Sequence, residues 1–159
     1  SPIICDAKTG SIFEWLFPLG HFTLQETHKS KCFIGTWTGF APLYCQMLDV
    51  KKILNFEEQS LAFIFWVRSF SDSFYEAEIK KFGANFTHFE YVPYFSRETD
   101  FTASSSQWKN GYVTDWITQE NIVSYEEFYL CGSPAMVKSA REKLTSLGIT
   151  KERVFWEQF

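Results

Sequence analysis

Twice in this chain a short apolar run breaks on small residues and continues as a helix-like segment. The first instance is Ile34-Gly35-Thr36-Trp37-Thr38-Gly39-Phe40-Ala41-Pro42, between a run at 31–34 and a segment at 41–54. The second is Phe128-Tyr129-Leu130-Cys131-Gly132-Ser133-Pro134-Ala135-Met136, which leads into a segment at 134–147. Strand, small-residue turn and helix in series present free backbone N–H groups and a positive helix end to a phosphate. Glycine suits such a turn because a ligand must approach the backbone closely and some φ angles are positive. Two such turns in one sheet would aim two helix ends at one crevice. Taken singly, each turn is equally an ordinary strand-to-helix connection: the first is neither G-x-G-x-x-G nor a P-loop, since no Gly-Lys-Ser/Thr follows. Trp37 is the residue out of place, a bulky indole where the smallest side chain is wanted.

From residue 31 onward strand-like and helix-like segments alternate, which predicts parallel βαβ units. The predicted strands are 31–34, 61–67, 86–92, 127–130 and 153–155. Leu61-Ala62-Phe63-Ile64-Phe65 is wholly apolar, as a strand covered on both faces should be. The predicted helices are 41–54, 73–82, 112–119 and 134–147. Asp72 or Ser71 would cap the second and Gly83 stop it; Ser133, Pro134 and Gly148 frame the last. The stretch 94–110 is polar and Ser-rich and reads as a surface loop. The expected fold is α/β, a three-layer αβα sandwich with a parallel sheet of about five strands, the count following the segment pattern. Residues 1–29 lack a helical period and read as a linker or the tail of another unit, with a short strand at 22–24; residues 30–159 form the domain.

Composition narrows the partners. The chain has 159 residues, 45% hydrophobic and 21% charged, enough for one domain with a real core, in which 18 Phe would dominate. A net charge of −4 without a Lys/Arg run argues against nucleic acid or an anionic membrane as main partner. No apolar stretch approaches the roughly 18 residues of a membrane span. The first residues lack the order of a signal peptide. The four cysteines (Cys5, Cys32, Cys45, Cys131) are scattered, which fits a reduced, cytoplasmic protein. His21, His28 and His88 show no ligand spacing, so no metal site is expected.

The two turns, followed by Glu157-Gln158-Phe159, resemble the pyridine-nucleotide half of the ferredoxin–NADP reductase superfamily. Pro18-Leu19-Gly20-His21-Phe22 is similar to the G-P-x-G-x-F that ends the flavin domain, with Phe17 where its first glycine usually stands. Val67-Arg68-Ser69 with Asp72 and Tyr75, Ser96-Arg97-Glu98, and Gly111-Tyr112-Val113-Thr114-Asp115 match three further family stretches in order. The resemblance covers residues 17–159 and implies hydride transfer between NAD(P)H and a flavin. It implies FAD or FMN on a separate barrel of the same protein, whose R-x-Y-S-type motif this sequence does not contain, and an electron acceptor of unknown identity. The chain is therefore expected to be part of a longer protein and inactive alone.

Site roles follow by resemblance. Gly35, Thr36, Thr38, Gly39 and Pro42 would form the turn that holds the pyrophosphate or nicotinamide ribose. Cys131 and Gly132 would sit beside the nicotinamide with Met136 behind. Glu157 would lie near the hydride-transfer site, and Phe159 where the family places an aromatic over the flavin. Cys131 is equally readable as an inert buried thiol, Met136 as a core methionine and Arg68 as a surface residue. Arg68, Ser96 and Arg97 would meet the adenosine end. Guanidinium suits a 2′-phosphate, which favours NADP, although NAD-using relatives share the triplet. Two positions depart from the family pattern: Trp37 and Trp66 stand where it has glycine. Some bacterial codes read UGA as glycine and others as tryptophan, so a gene with UGA at these codons would give both; Trp15, Trp108 and Trp116 could belong to the same set. Natural loss of nucleotide binding, leaving a non-catalytic relative that acts in protein contact or regulates electron transfer, is the competing expectation.

Overall fold

The computed structural model describes residues 6–14, 20–53, 55–98 and 108–158. Six parallel strands form one sheet: β1 (Lys31–Thr36), β2 (Ser60–Val67), β3 (His88–Phe95), β4 (Lys109–Asn110), β5 (Glu127–Gly132) and β6 (Val154–Gln158). Their order is β4-β3-β2-β1-β5-β6. The chain therefore steps outward from β1 on one side, then returns to β5 and steps outward on the other. The reversal between β1 and β5 is the switch point at which open α/β sheets bind ligands, outside the carboxyl ends of the strands.

Alternating side chains give the sheet two buried faces. Phe33, Leu61, Phe63, Phe65 and Tyr129 face α1 (Phe40–Val50) and α2 (Glu76–Gly83) through Leu43, Met47, Ile79 and Phe82. Cys32, Ile34, Ala62, Ile64, Phe128 and Leu130 face α3 (Val113–Trp116), α4 (Gln119–Ile122) and α5 (Pro134–Ser146) through Trp116, Ile122, Ala140 and Leu144. This is the expected three-layer sandwich, with one more strand than expected. The sixth is β4, two residues long, inside the stretch read as loop. That stretch also holds the end of β3, at Tyr94 and Phe95; residues 99–107 lie outside the described residues.

Several local expectations need correction. Residues 22–24 form no strand, although Phe22 and Leu24 pack on the core. Asp72 and Ser69 close a capping box on a short turn at Phe70–Asp72; the residue before α2 is Tyr75, at φ 59°. Gly83 ends α2 because a Cβ there would strike the Phe89 ring, a close-packing reason rather than a positive φ. The helix expected over 112–119 splits at Thr118, whose Oγ1 accepts the Asn121 N–H at 3.3 Å and starts α4. The α5 signals hold: Ser133 Oγ accepts from the Met136 N–H, Pro134 opens the helix, and Gly148 turns the chain at φ 86°.

At the opposite, amino-terminal edge of the sheet lies a buried charge pair. Lys31 Nζ is 2.7 Å from Glu127 Oε2, both side chains almost fully enclosed. Glu127 Oε2 also accepts the Tyr129 hydroxyl at 2.8 Å, and Oε1 that of Thr27 at 2.7 Å. Tyr129 Oη in turn accepts the Gln25 N–H at 3.0 Å. Burial pulls the Lys31 pKa down, the adjacent carboxylate pushing the other way. This network ties the segment before β1 to β5.

Candidate functional site

The two turns meet. Gly39 lies so close to the Cys131 carbonyl and the Gly132 N–H that a Cβ would collide with backbone. Gly132, at φ 150°, would carry a Cβ into the Thr36 hydroxyl. The Ser133 N–H donates to Thr36 Oγ1 at 3.3 Å, joining the end of β1 to the start of α5. Glycine at 39 and 132 is thus demanded by the close approach of two backbones at the switch point, the geometry for which a phosphate-binding cradle needs glycine.

Around this junction the expected residues distribute unevenly. Gly35 is buried in β1, Thr36 ends it at 5% exposure, and Thr38 faces solvent on the turn. Pro42 is half-buried in the first turn of α1. Met136 packs on the lower core and lines a cleft of about 270 Å³ together with Thr36, Trp66, Tyr112, Thr114 and Ser133. The loops after β2 and β3 are joined by the Arg97 N–H donating to the Arg68 carbonyl at 2.9 Å, and by the Phe70 N–H donating to Glu98 Oε2 at 3.2 Å. Arg68 and Arg97 are exposed and Ser96 half-buried at this rim.

Cys131 pairs in register with Glu157 across β5 and β6. Glu157 Oε1 lies 3.5 Å from where a Cβ on Gly20 would stand, so it faces the segment before the domain. From Trp66 on β2 to Glu157 on β6 the edge spans three strand spacings, roughly 14 Å at 4.8 Å each. Phe159 lies outside the described residues. Tyr112, not among the expected site residues, is 58% exposed and stacks on Trp66 with centroids 5.8 Å apart. Its signal was an aromatic directly after Gly111, which takes φ 121°.

Cys131 is fully buried, and burial first, then the Glu157 charge, push its thiol up to about 12. It is a neutral thiol at physiological pH and no nucleophile. Because the folded chain holds this proton more tightly, the stability it contributes is present below the ordinary thiol range and fades as pH climbs toward 12. In neutral buffer iodoacetamide is expected to label exposed Cys45 and to spare Cys131 and Cys32 until the chain is unfolded, as peptide mass mapping would show. Labelling of Cys131 in the folded protein would contradict this burial. Among the described residues no His, Cys, Asp or Glu cluster could hold a metal.

The two tryptophans do not fit the cradle. Trp37 takes φ 48°, left-handed backbone that costs a bulky residue about 1–2 kcal/mol. Tyr75 shares that backbone region at the start of α2, but Trp37 takes it inside the turn itself. Its ring meets the Trp66 ring edge-on at 6.0 Å and lies under the Arg68 guanidinium at 5.0 Å. Trp66 Nε1 is buried without a hydrogen-bond partner, a loss of about 1–3 kcal/mol. The ring pair returns about 0.5–1.5 kcal/mol and the exposed cation contact about 0.5–1. These gains do not offset the losses. The remaining cleft also falls below the roughly 300–1,000 Å³ of small-molecule sites. The backbone of the cradle suits a dinucleotide; the indoles at 37 and 66 obstruct one.

The sequence profile of the oxidoreductase NAD-binding domain matches residues 33–142, most of the chain and both turns. The chain belongs to that family. It is an NAD(P)-binding domain of the ferredoxin–NADP reductase superfamily, as its motifs implied. The electron transfer component of xylene/toluene monooxygenase from Pseudomonas putida is 30% identical over 155 residues, 96% of this chain and 43% of that protein. The reductase component of propane 2-monooxygenase from Rhodococcus jostii is 32% identical over 145 residues, 89% of this chain and 39% of that protein. The Na(+)-translocating NADH-quinone reductase of Marinomonas contributes a third relative, 25% identical over 164 residues, covering 100% of this chain and 40% of that one. The chain thus spans about two fifths of the length of these relatives.

A cytochrome P450 reductase from Amycolatopsis shares the fold at TM-score 0.74 and 24% identity, over 90% of this chain and 42% of that one. So does a ferredoxin-NADP+ reductase from Plasmodium falciparum with 2′P-AMP, at TM-score 0.66 and 22% identity, over 89% and 58%. Among the described residues no helix is long and apolar enough to cross a membrane.

Proposed function

We propose that this domain is the nucleotide half of a cytoplasmic, flavin-dependent reductase, which binds NAD(P)H so that hydride passes to FAD or FMN on another domain of the same protein. The observation that carries the reading is the junction of Gly39 with Cys131 and Gly132, which builds one cradle from two strand-to-helix turns. Thr36, Thr38, Gly39 and Pro42 would hold the pyrophosphate end, with Gly35 as the floor of the turn. Gly132 and Met136 would border the nicotinamide. Arg68, Ser96 and Arg97 would meet the adenosine end, where a guanidinium favours the 2′-phosphate of NADP. Cys131 serves as buried wall rather than reactant. Glu157 and Phe159 belong to the flavin-facing side, and Glu157 near Gly20 supports that orientation. The domain boundary near residue 30 follows the same reading, with residues 1–29 leading from the flavin barrel.

A second reading, a non-catalytic domain used for protein contact, is favoured by the Trp37–Trp66 pair. Anaerobic addition of NADH or NADPH to the flavin-loaded full-length protein, with glycine at 37 and 66, separates the two. Bleaching of the visible flavin band is expected; an unchanged band would leave the contact module.

A further inference from the structure

Given the nucleotide reading of this cleft, we infer that positions 37 and 66 are glycine in the protein its source cell makes, the gene carrying UGA at both codons in a code that reads UGA as glycine. Trp37 occupies left-handed backbone at φ 48°, where glycine alone is at ease. Trp66 buries an indole N–H that nothing accepts. The two positions are spatial neighbours: Thr36 pairs with Trp66 in register, and Trp37 follows directly. Both indoles thus stand at the carboxyl edge of the two strands beside the switch point, where the fold binds ligands. Two separate misfits at one spot, of the same residue type, have one common origin in a single decoding rule.

The other described tryptophans lack these marks. Trp116 is buried in α3 against Tyr125, Trp108 packs on Phe70 and Phe95, and Trp156 lies under the Arg141 guanidinium at 4.2 Å. None of the three takes a positive φ. Trp15 lies outside the described residues.

The source gene and the native protein decide the matter. UGA is expected at codons 37 and 66, and peptides from source cells should carry the mass of glycine at both positions. UGG at either codon, or tryptophan in the native peptide, would overturn the inference. In recombinant protein, Trp37→Gly/Trp66→Gly is expected to keep the unfolding midpoint of the chain as written, whereas Trp116→Gly loses it. Collapse of the double variant would show positions built for indole, against the inference. Calorimetric titration with NADH separates this from the functional reading. UGA codons with no binding by the double variant would uphold the decoding and sink the nucleotide site. UGG codons with binding would do the reverse.

Discussion

Lys31→Met is expected to lower stability by about 3–5 kcal/mol, because it leaves the Glu127 carboxylate buried without its counter-charge. The pair is 2.7 Å apart, with Lys31 side-chain exposure of 0% and Glu127 of 4%. At this chain length such a loss should lower Tm by roughly ten degrees in a thermal melt. The carboxylate also accepts the Thr27 and Tyr129 hydroxyls, so the segment before β1 should loosen with it. Hydrogen exchange would then rise at the Gln25 amide, which donates to Tyr129 Oη. The double change Lys31→Met/Glu127→Leu removes both charges and should recover most of the loss, since apolar replacement of a whole buried pair is often neutral or better. A single variant as stable as the parent would mean that the pair contributes nothing.

Gly39→Ala is expected to be the most damaging small substitution at the carboxyl edge of the sheet. The added Cβ meets the Cys131 carbonyl and the Gly132 nitrogen, which are backbone atoms and cannot rotate away. Either β5 or the turn must shift, and such overpacking typically costs about 1–3 kcal/mol. Gly10 is the control, since a Cβ there meets nothing within 4 Å, although its φ of 91° adds backbone strain of its own. Urea unfolding should show Gly39→Ala as the weaker of the two variants. Equal midpoints would refute the close contact on which the joined cradle depends.

Much of this architecture was legible in the sequence because its signals are local. The apolar run at Leu61–Phe65 announced a strand covered on both faces, and Ser133-Pro134 with Gly148 framed α5. The small residues of both turns marked where backbone would be exposed. What remained hidden depends on contacts distant in sequence. Lys31 and Glu127 read as ordinary charges at strand starts until β1 and β5 pair in register. Gly83 reads as a helix stop until Phe89 is seen against it. Tyr112 gains its place only because α3 packs beneath the end of β2, bringing it onto Trp66. The expected helix over 112–119 failed because Thr118 competes as a cap for a new turn. Within the site, the turns were readable and the strain at Trp37 followed from its turn position. The unpartnered Trp66 N–H was not, since burial of one atom is a tertiary property.

The central claim is that two strand-to-helix turns build a dinucleotide cradle that the indoles at 37 and 66 obstruct. Calorimetric titration of NADH and NADPH into the chain as written and into Trp37→Gly/Trp66→Gly tests it most directly. Binding at least tenfold tighter in the glycine form, a gain of about 1.4 kcal/mol, is the predicted result. Equal or tighter binding by the tryptophan form would contradict it.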